Sequence, residues 1–149
     1  MNADTSAAGQ AGALPSLNRR ILLAARPKGL PDASNWKIED AAISPLDDGD
    51  VLVKIQRLSL DPAMRGWMNE GRSYIAPVSI GEVMRAGGIG EVIVSRHPKF
   101  PIAMHVSGSL GVQQYCLVDA GSANHGGLVP VDLKLAPLKS GSIRWGCPA

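Results

Sequence analysis

The chain has 149 residues and a formal net charge of +2; it is 45% hydrophobic and 19% charged, and aromatics make up only 4%. Such a length is about one domain, long enough to bury roughly two-thirds of the surface that the unfolded form exposes. The charge is too small for a nucleic-acid binder, apolar runs such as Ile21–Ala25 are too short to cross a bilayer, and two cysteines, Cys116 and Cys147, make neither a disulfide framework nor a zinc site.

Residues 1–17 are rich in Ala, Gly and Ser and hold no Lys or Arg. Without a basic start or an apolar stretch they read as a disordered leader, not a secretory signal, and the expected location is cytoplasmic. Order is expected from Asn18. Arg19–Ala24 is an apolar run behind two basic residues and predicts a strand; Arg26–Pro31, with two prolines and a glycine, predicts a loop. Trp36–Glu39 alternates apolar and polar, the period of a half-buried strand.

After a turn at Ser44–Asp50 comes Val51–Leu58, where Val51, Val53 and Ile55 share one face and Leu52 and Lys54 the other. Ala63–Met68 predicts a short helix, with Asp61 as its cap and Pro62 at its first position. Gly87–Ser95 reads as a glycine-rich strand, His97–Pro101 as a loop, and His105–Ser107 and Gln113–Val118 as two more strands. Gly121–Gly127 is polar, and Val129–Asp132 is a last extended piece. Many short strands separated by Gly and Pro predict a mainly β fold, a small barrel or sandwich with few short helices.

Local chemistry is sparse. Gly88-x-Gly90 precedes a strand pattern, whereas a phosphate loop must open a helix, so these glycines read as close packing or a bulge. His97, His105 and His125 have no metal-ligand spacing, and no Gly-x-Ser-x-Gly elbow is present. Cys116 sits in an apolar strand pattern and reads as an inert thiol. The distinctive stretch is Asp61-Pro62-Ala63-Met64-Arg65-Gly66, which sets a carboxylate, a thioether and a guanidinium around one turn; alone it also reads as a capped turn with a surface arginine.

Two stretches carry a resemblance: Leu58-Ser59-Leu60-Asp61-Pro62-Ala63-Met64-Arg65-Gly66 and Gly81-Glu82-Val83-Met84-Arg85-Ala86-Gly87-Gly88. Asn18–Leu23 with Arg26-Pro27, then Ser95–Phe100 and Gly111–Tyr115, follow in the same order. Together they resemble the zinc-independent medium-chain reductases, the prostaglandin reductase, alkenal double-bond reductase and curcumin reductase group, over about residues 18–138. The resemblance implies a GroES-like, partly open β-barrel, the N-terminal catalytic domain of such enzymes. It implies NADPH-dependent reduction of a carbon–carbon double bond conjugated to a carbonyl, with hydride to the β-carbon and a proton to the α-carbon. The partner is then a small-molecule enone or enal, with no metal, no nucleic acid and no membrane. By motif position Ala63, Met64, Arg65 and Met84 belong at the substrate cleft; no catalytic residue is assigned.

Three departures from the family stand out. Ala63 replaces the usual Tyr of the substrate pocket, and Ala103-Met104 stand where the family has Gly-Asp in a turn. The chain also ends before the family's Rossmann domain, so no such domain and no cofactor-binding residues are expected in it. NADPH is therefore expected not to bind this chain alone, and the isolated chain to show no turnover. Whether it is an enzyme by itself is left open. Residues 139–149 do not follow the family. Codons for Arg144–Ala149, read one base earlier, permit Ser/Thr/Pro-Leu-Gly-Met-Pro-Gly, which the family has near this place, so this tail is expected to be in a shifted frame. The alternatives are a non-enzymatic β-barrel interaction module, paired as a homodimer or with a longer relative as a heterodimer, and a pseudogene product.

Overall fold

A computed structural model describes residues 14–71, 73–122 and 127–134. An apolar run behind two arginines gives β1 (Leu17–Leu23), which pairs antiparallel with β2 (Trp36–Ala42). Arg19 faces Asp40 and Arg20 faces Glu39, and both pairs form ion pairs, at 2.9 and 2.6 Å. A single turn of 3-10 helix, Ala33–Asn35, precedes β2. Asn35 is buried and laces this connection: its Oδ1 accepts the Asp32 N–H at 2.8 Å and its Nδ2 donates to the Ala25 carbonyl at 3.1 Å.

The second sheet holds β3 (Asp50–Leu58), β4 (Gly87–Ser95), β5 (His105–Ser109), β6 (Tyr115–Asp119) and β7 (Val129–Pro130), in the order β6-β3-β4-β5-β7. All named pairings are antiparallel. Each expected strand is present, with boundaries shifted by a few residues. Gln113 and Gln114 fall outside β6 because they serve a different purpose. Gln113 bridges Arg20 of β1, while the Gln114 carbonyl accepts the Ile55 N–H at 2.9 Å. A buried asparagine, Asn18, completes this staple between the sheets. Its Nδ2 donates to Gln113 Oε1 at 2.9 Å, and its Oδ1 accepts the Tyr115 N–H at 3.0 Å. The fold is mainly β, a partly open arrangement of two stapled sheets and not a closed barrel.

Two apolar clusters fill it. Val51, Val53, Val92, Phe100, Val106 and Leu110 belong to one, under the five-stranded sheet. Leu23, Leu58, Met64, Met68, Val78 and Met84 belong to the other. Val51 and Val53 lie in the first cluster, as the alternation of β3 predicts. Leu52, on the opposite face, is not part of that cluster but is also buried, only 2% exposed. The β3–β4 register shifts between Leu52 and Val53 and again between Ile55 and Arg57.

Gly88 and Gly90 explain themselves in this sheet. A Cβ on Gly90 would stand 2.5 Å from the Lys54 carbonyl oxygen, and one on Gly88 2.6 Å from that of Arg57. Close approach of β3 to β4 therefore requires glycine at both places. Leader residues 1–13 and tail residues 135–149, including the expected frame shift and Cys147, lie outside the described residues, as does His125.

Candidate functional site

A groove of about 820 Å³ opens beside the second cluster. Its lining comes from three parts of the chain. Ile21, Met84 and Val112 form one part, and the backbone holds them in a closed triangle. Ile21 N–H donates to the Val112 carbonyl, Val112 N–H to that of Met84, and Met84 N–H to that of Ile21, each at 2.9 Å. Ala33, Trp36 and Ile38 contribute from β2 and the turn before it. The third part is the stretch from Leu60 through α1 (Ala63–Trp67) to Met68.

Pro62 already has helical backbone, with φ −54° and ψ −28°, so its preset φ starts the helix. The cap position falls on Pro62, one residue later than the sequence predicts, and has no side-chain cap bond; Asp61 stands just before it, its Oδ1 accepting the Ala63 N–H at 2.8 Å. Met64 and Met68, one turn apart, then share a face and are both buried in the second cluster. The Met64 sulfur also accepts the Asp61 N–H, at 3.4 Å.

Of the four residues placed at a cleft from sequence, Met64, Arg65 and Met84 line this groove together. Ala63 is not among its lining residues. Ile21, Trp36, Ile38, Met68 and Val112 were not singled out from sequence. The Trp36-x-Ile38 alternation was legible, but alternation does not say which face stays uncovered.

Arg65 turns out to be a tie. Its Nε donates to the Gly29 carbonyl at 2.9 Å, its Nη2 to that of Pro27 at 3.1 Å, and its Nη1 to Asn69 Oδ1 at 2.6 Å. Arg26 answers from the loop, its Nη1 donating to the Met68 carbonyl at 2.7 Å. Loop and helix thus hold each other by two guanidinium groups. Arg85, next to Met84 in sequence, stacks 5.5 Å from the centre of the Trp67 ring. The Arg85 Nη1 and Trp67 Nε1 are buried without hydrogen-bond partners.

Elsewhere the chemistry is quiet. Burial pushes the Cys116 thiol up to about 11, so at neutral pH it is no nucleophile. His97 packs on Phe100 at 5.3 Å between ring centres. Among the described residues no group of three or more His, Cys, Asp or Glu is placed to hold a metal, and no helix is long and apolar enough to cross a membrane. The glycine run is no phosphate loop. Gly87–Gly90 lie inside β4, and the space that Gly88 and Gly90 keep free is taken by the backbone of β3.

Comparison with known proteins agrees with this architecture. Residues 19–125 match the family described as the N-terminal domain of oxidoreductase. The NADPH-dependent curcumin reductase of Escherichia coli (strain K12) is 42% identical over 98 residues, 66% of this chain and 28% of that protein. The 2-alkenal reductase (NADP(+)-dependent) of Nicotiana tabacum is 32% identical over 106 residues, 68% of this chain and 31% of that protein. The crystal structure of CurA in complex with NADPH from Vibrio vulnificus superposes with a TM-score of 0.68 at 37% identity, covering 75% of this chain and 32% of that one. The chain thus spans about a third of the length of these relatives.

Proposed function

The chain belongs to the family of N-terminal domains of oxidoreductases, and from that membership we propose that its groove is the substrate face of an NADPH-dependent reductase acting on α,β-unsaturated carbonyl compounds. The observation that carries this reading is the convergence of Met64, Arg65 and Met84 on one apolar groove, from two motifs about twenty residues apart. Relatives named as a curcumin reductase and a 2-alkenal reductase support the same class.

In this reading the chain binds and orients the substrate and keeps water from it. Met64, Met68, Met84 and Trp36 offer polarisable and flat surface to a conjugated system, and flexible thioethers adapt to ligands of different shape. About 820 Å³ is within the size range of small-molecule sites. The glycines of β4 are used up in strand packing and offer NADPH no phosphate loop. No step of the reaction is assigned to a residue of this chain.

The test is a chimera. This chain through Leu138 is joined to the remainder of the Escherichia coli curcumin reductase, and NADPH oxidation is followed with benzalacetone. Steady oxidation is expected from the chimera and none from the 149-residue chain alone. A folded chimera that binds NADPH yet does not reduce the enone contradicts the proposal.

A further inference from the structure

We infer that the outer edge of β2 is an interface with a second copy of this chain, the two β2 strands pairing antiparallel about a two-fold axis at Ile38. The inference stands apart from the enone reading of the groove.

Among the described residues β2 has one neighbouring strand, β1. The main chain shows which of its residues that pairing uses. The Ile43 N–H donates to the Ser16 carbonyl at 3.1 Å, and the Asn35 carbonyl accepts the Ala24 N–H at 2.8 Å. With Leu17 opposite Ala42 and Leu23 opposite Trp36, these bonds turn the main-chain groups of Lys37, Glu39 and Ala41 toward β1. Those of Ile38 and Asp40 point the other way, and among the described residues they meet no hydrogen-bond partner there. The Trp36 N–H is taken by the Ala33 carbonyl, but its own carbonyl is left. Such an open edge is a template for another strand. At its middle stands Ile38, 67% exposed.

Charge selects the occupant and its register. Only outward-turned groups can bond across the edge, so a second β2 must set even-numbered residues against even-numbered ones. A two-fold axis at Lys37, Glu39 or Asp40 puts that residue opposite its own copy, and like charges directly opposite are unfavourable. An axis at Ile38 does the reverse. Lys37 of each copy then faces Glu39 of the other, so the favourable pair is made twice, and Ile38 faces Ile38. Lys37 and Glu39 also fall in the pairing class whose side chains stand closer together. Glu39 has capacity for this contact. Arg20 holds its Oε2 at 2.6 Å, whereas its Oε1 meets the Lys37 ammonium of its own strand only at 3.9 Å. Trp36 and Ile38 line the groove, so the pairing brings Ile38 of the second copy to the groove side of the sheet.

Sedimentation velocity of the 149-residue chain, from about 10 µM to about 1 mM, tests this. The edge is short, so a weak dimer is expected, with a Kd on the order of 100 µM. Lys37→Glu sets carboxylate against carboxylate twice and should weaken the dimer about tenfold or more; Lys37→Arg should keep it. Ile38→Pro should abolish it and leave β1–β2 paired, because the N–H it removes points away from β1. Cross-linking fixes the register. In a Cys147→Ser background, Ile38→Cys should form an intermolecular disulfide readily, since directly opposite residues lie within its reach. Asp40→Cys should not, since this register places its two copies about 14 Å apart along the strands.

A chain that stays monomeric to about 1 mM overturns the inference, and so does a dimer that Lys37→Glu leaves unchanged. Equal cross-linking at positions 38 and 40 overturns it too, and that arm decides should Ile38→Pro fail to fold. A monomer whose Ile38 amide is protected from hydrogen exchange also overturns it, by giving the edge to another segment of the same chain.

Discussion

Arg65 and Gly29 are 36 residues apart in sequence, and the guanidinium Nε of one donates to the carbonyl of the other at 2.9 Å. This bond, with those to Pro27 and Asn69, makes Arg65 the tie between α1 and the loop that leads to β2. An arginine beside a cleft invites a role in binding substrate charge. Here three of its five N–H groups are spent on holding the groove together.

Arg65→Ala should therefore lower stability by about 1–2 kcal/mol, the scale of a few partly exposed hydrogen bonds lost together. Amide hydrogen exchange should quicken in residues 26–31, and enone affinity should fall with it. Arg65→Lys should rescue little, since a single ammonium cannot reproduce the planar fork. Unchanged exchange in the loop, followed by mass spectrometry, would contradict the tie.

Ala103 has φ of 74°, the one non-glycine residue with positive φ among the described residues. It stands in the turn where the resembled family has Gly-Asp. A left-handed backbone costs an L-residue about 1–2 kcal/mol, and glycine returns part of that to unfolded-state entropy. Ala103→Gly should stabilise the chain by about 0.5–1 kcal/mol in urea unfolding. A loss of stability would refute the strain.

Gly90 and Gly87 are neighbours in β4 with opposite tolerance. A Cβ on Gly90 collides with Lys54 and Val53, at 2.5 Å in both cases, whereas one on Gly87 meets nothing within 4 Å. Gly90→Ala should cost about 3 kcal/mol or more, or prevent folding, by overpacking against backbone that cannot yield. Gly87→Ala should be neutral or slightly stabilising. Similar unfolding midpoints for the two variants would show that the glycine run is not kept for packing.

Burial raises the Cys116 thiol from 9.0 to about 11. The sign follows: between these values the unfolded chain releases its proton and the folded chain does not. The stabilising contribution is whole below pH 9.0 and is lost as pH rises to about 11. In a Cys147→Ser background, iodoacetamide should react slowly at pH 8 and far faster near pH 11. Fast labelling at pH 8 in the folded chain would contradict the raised thiol.

What the sequence made legible is what short-range physics decides. Val51–Leu58 alternates, Asp61-Pro62 starts a helix, and glycines before Val92 mark a strand and not a phosphate loop. Each depends on neighbours within a few residues. The groove depends on contacts that no local pattern encodes. The Ile21–Met84–Val112 triangle joins residues about thirty to ninety positions apart. Asn18, from which order was expected to begin, is buried, with Gln113 and Tyr115 satisfying its amide. Arg65 was legible as a cleft residue from its motif, but not as a tie, because its acceptors are main-chain carbonyls and any residue offers those.

The most direct test of the substrate face uses the methionines as reporters. Met64, Met68 and Met84 line the groove, while Met104 packs against the other cluster. Methyl-labelled methionine spectra of the 149-residue chain, titrated with benzalacetone, should show saturable shifts at Met64, Met68 and Met84 and none at Met104. Shifts at Met104 alone, or none at all, would contradict the assignment of this groove to the enone.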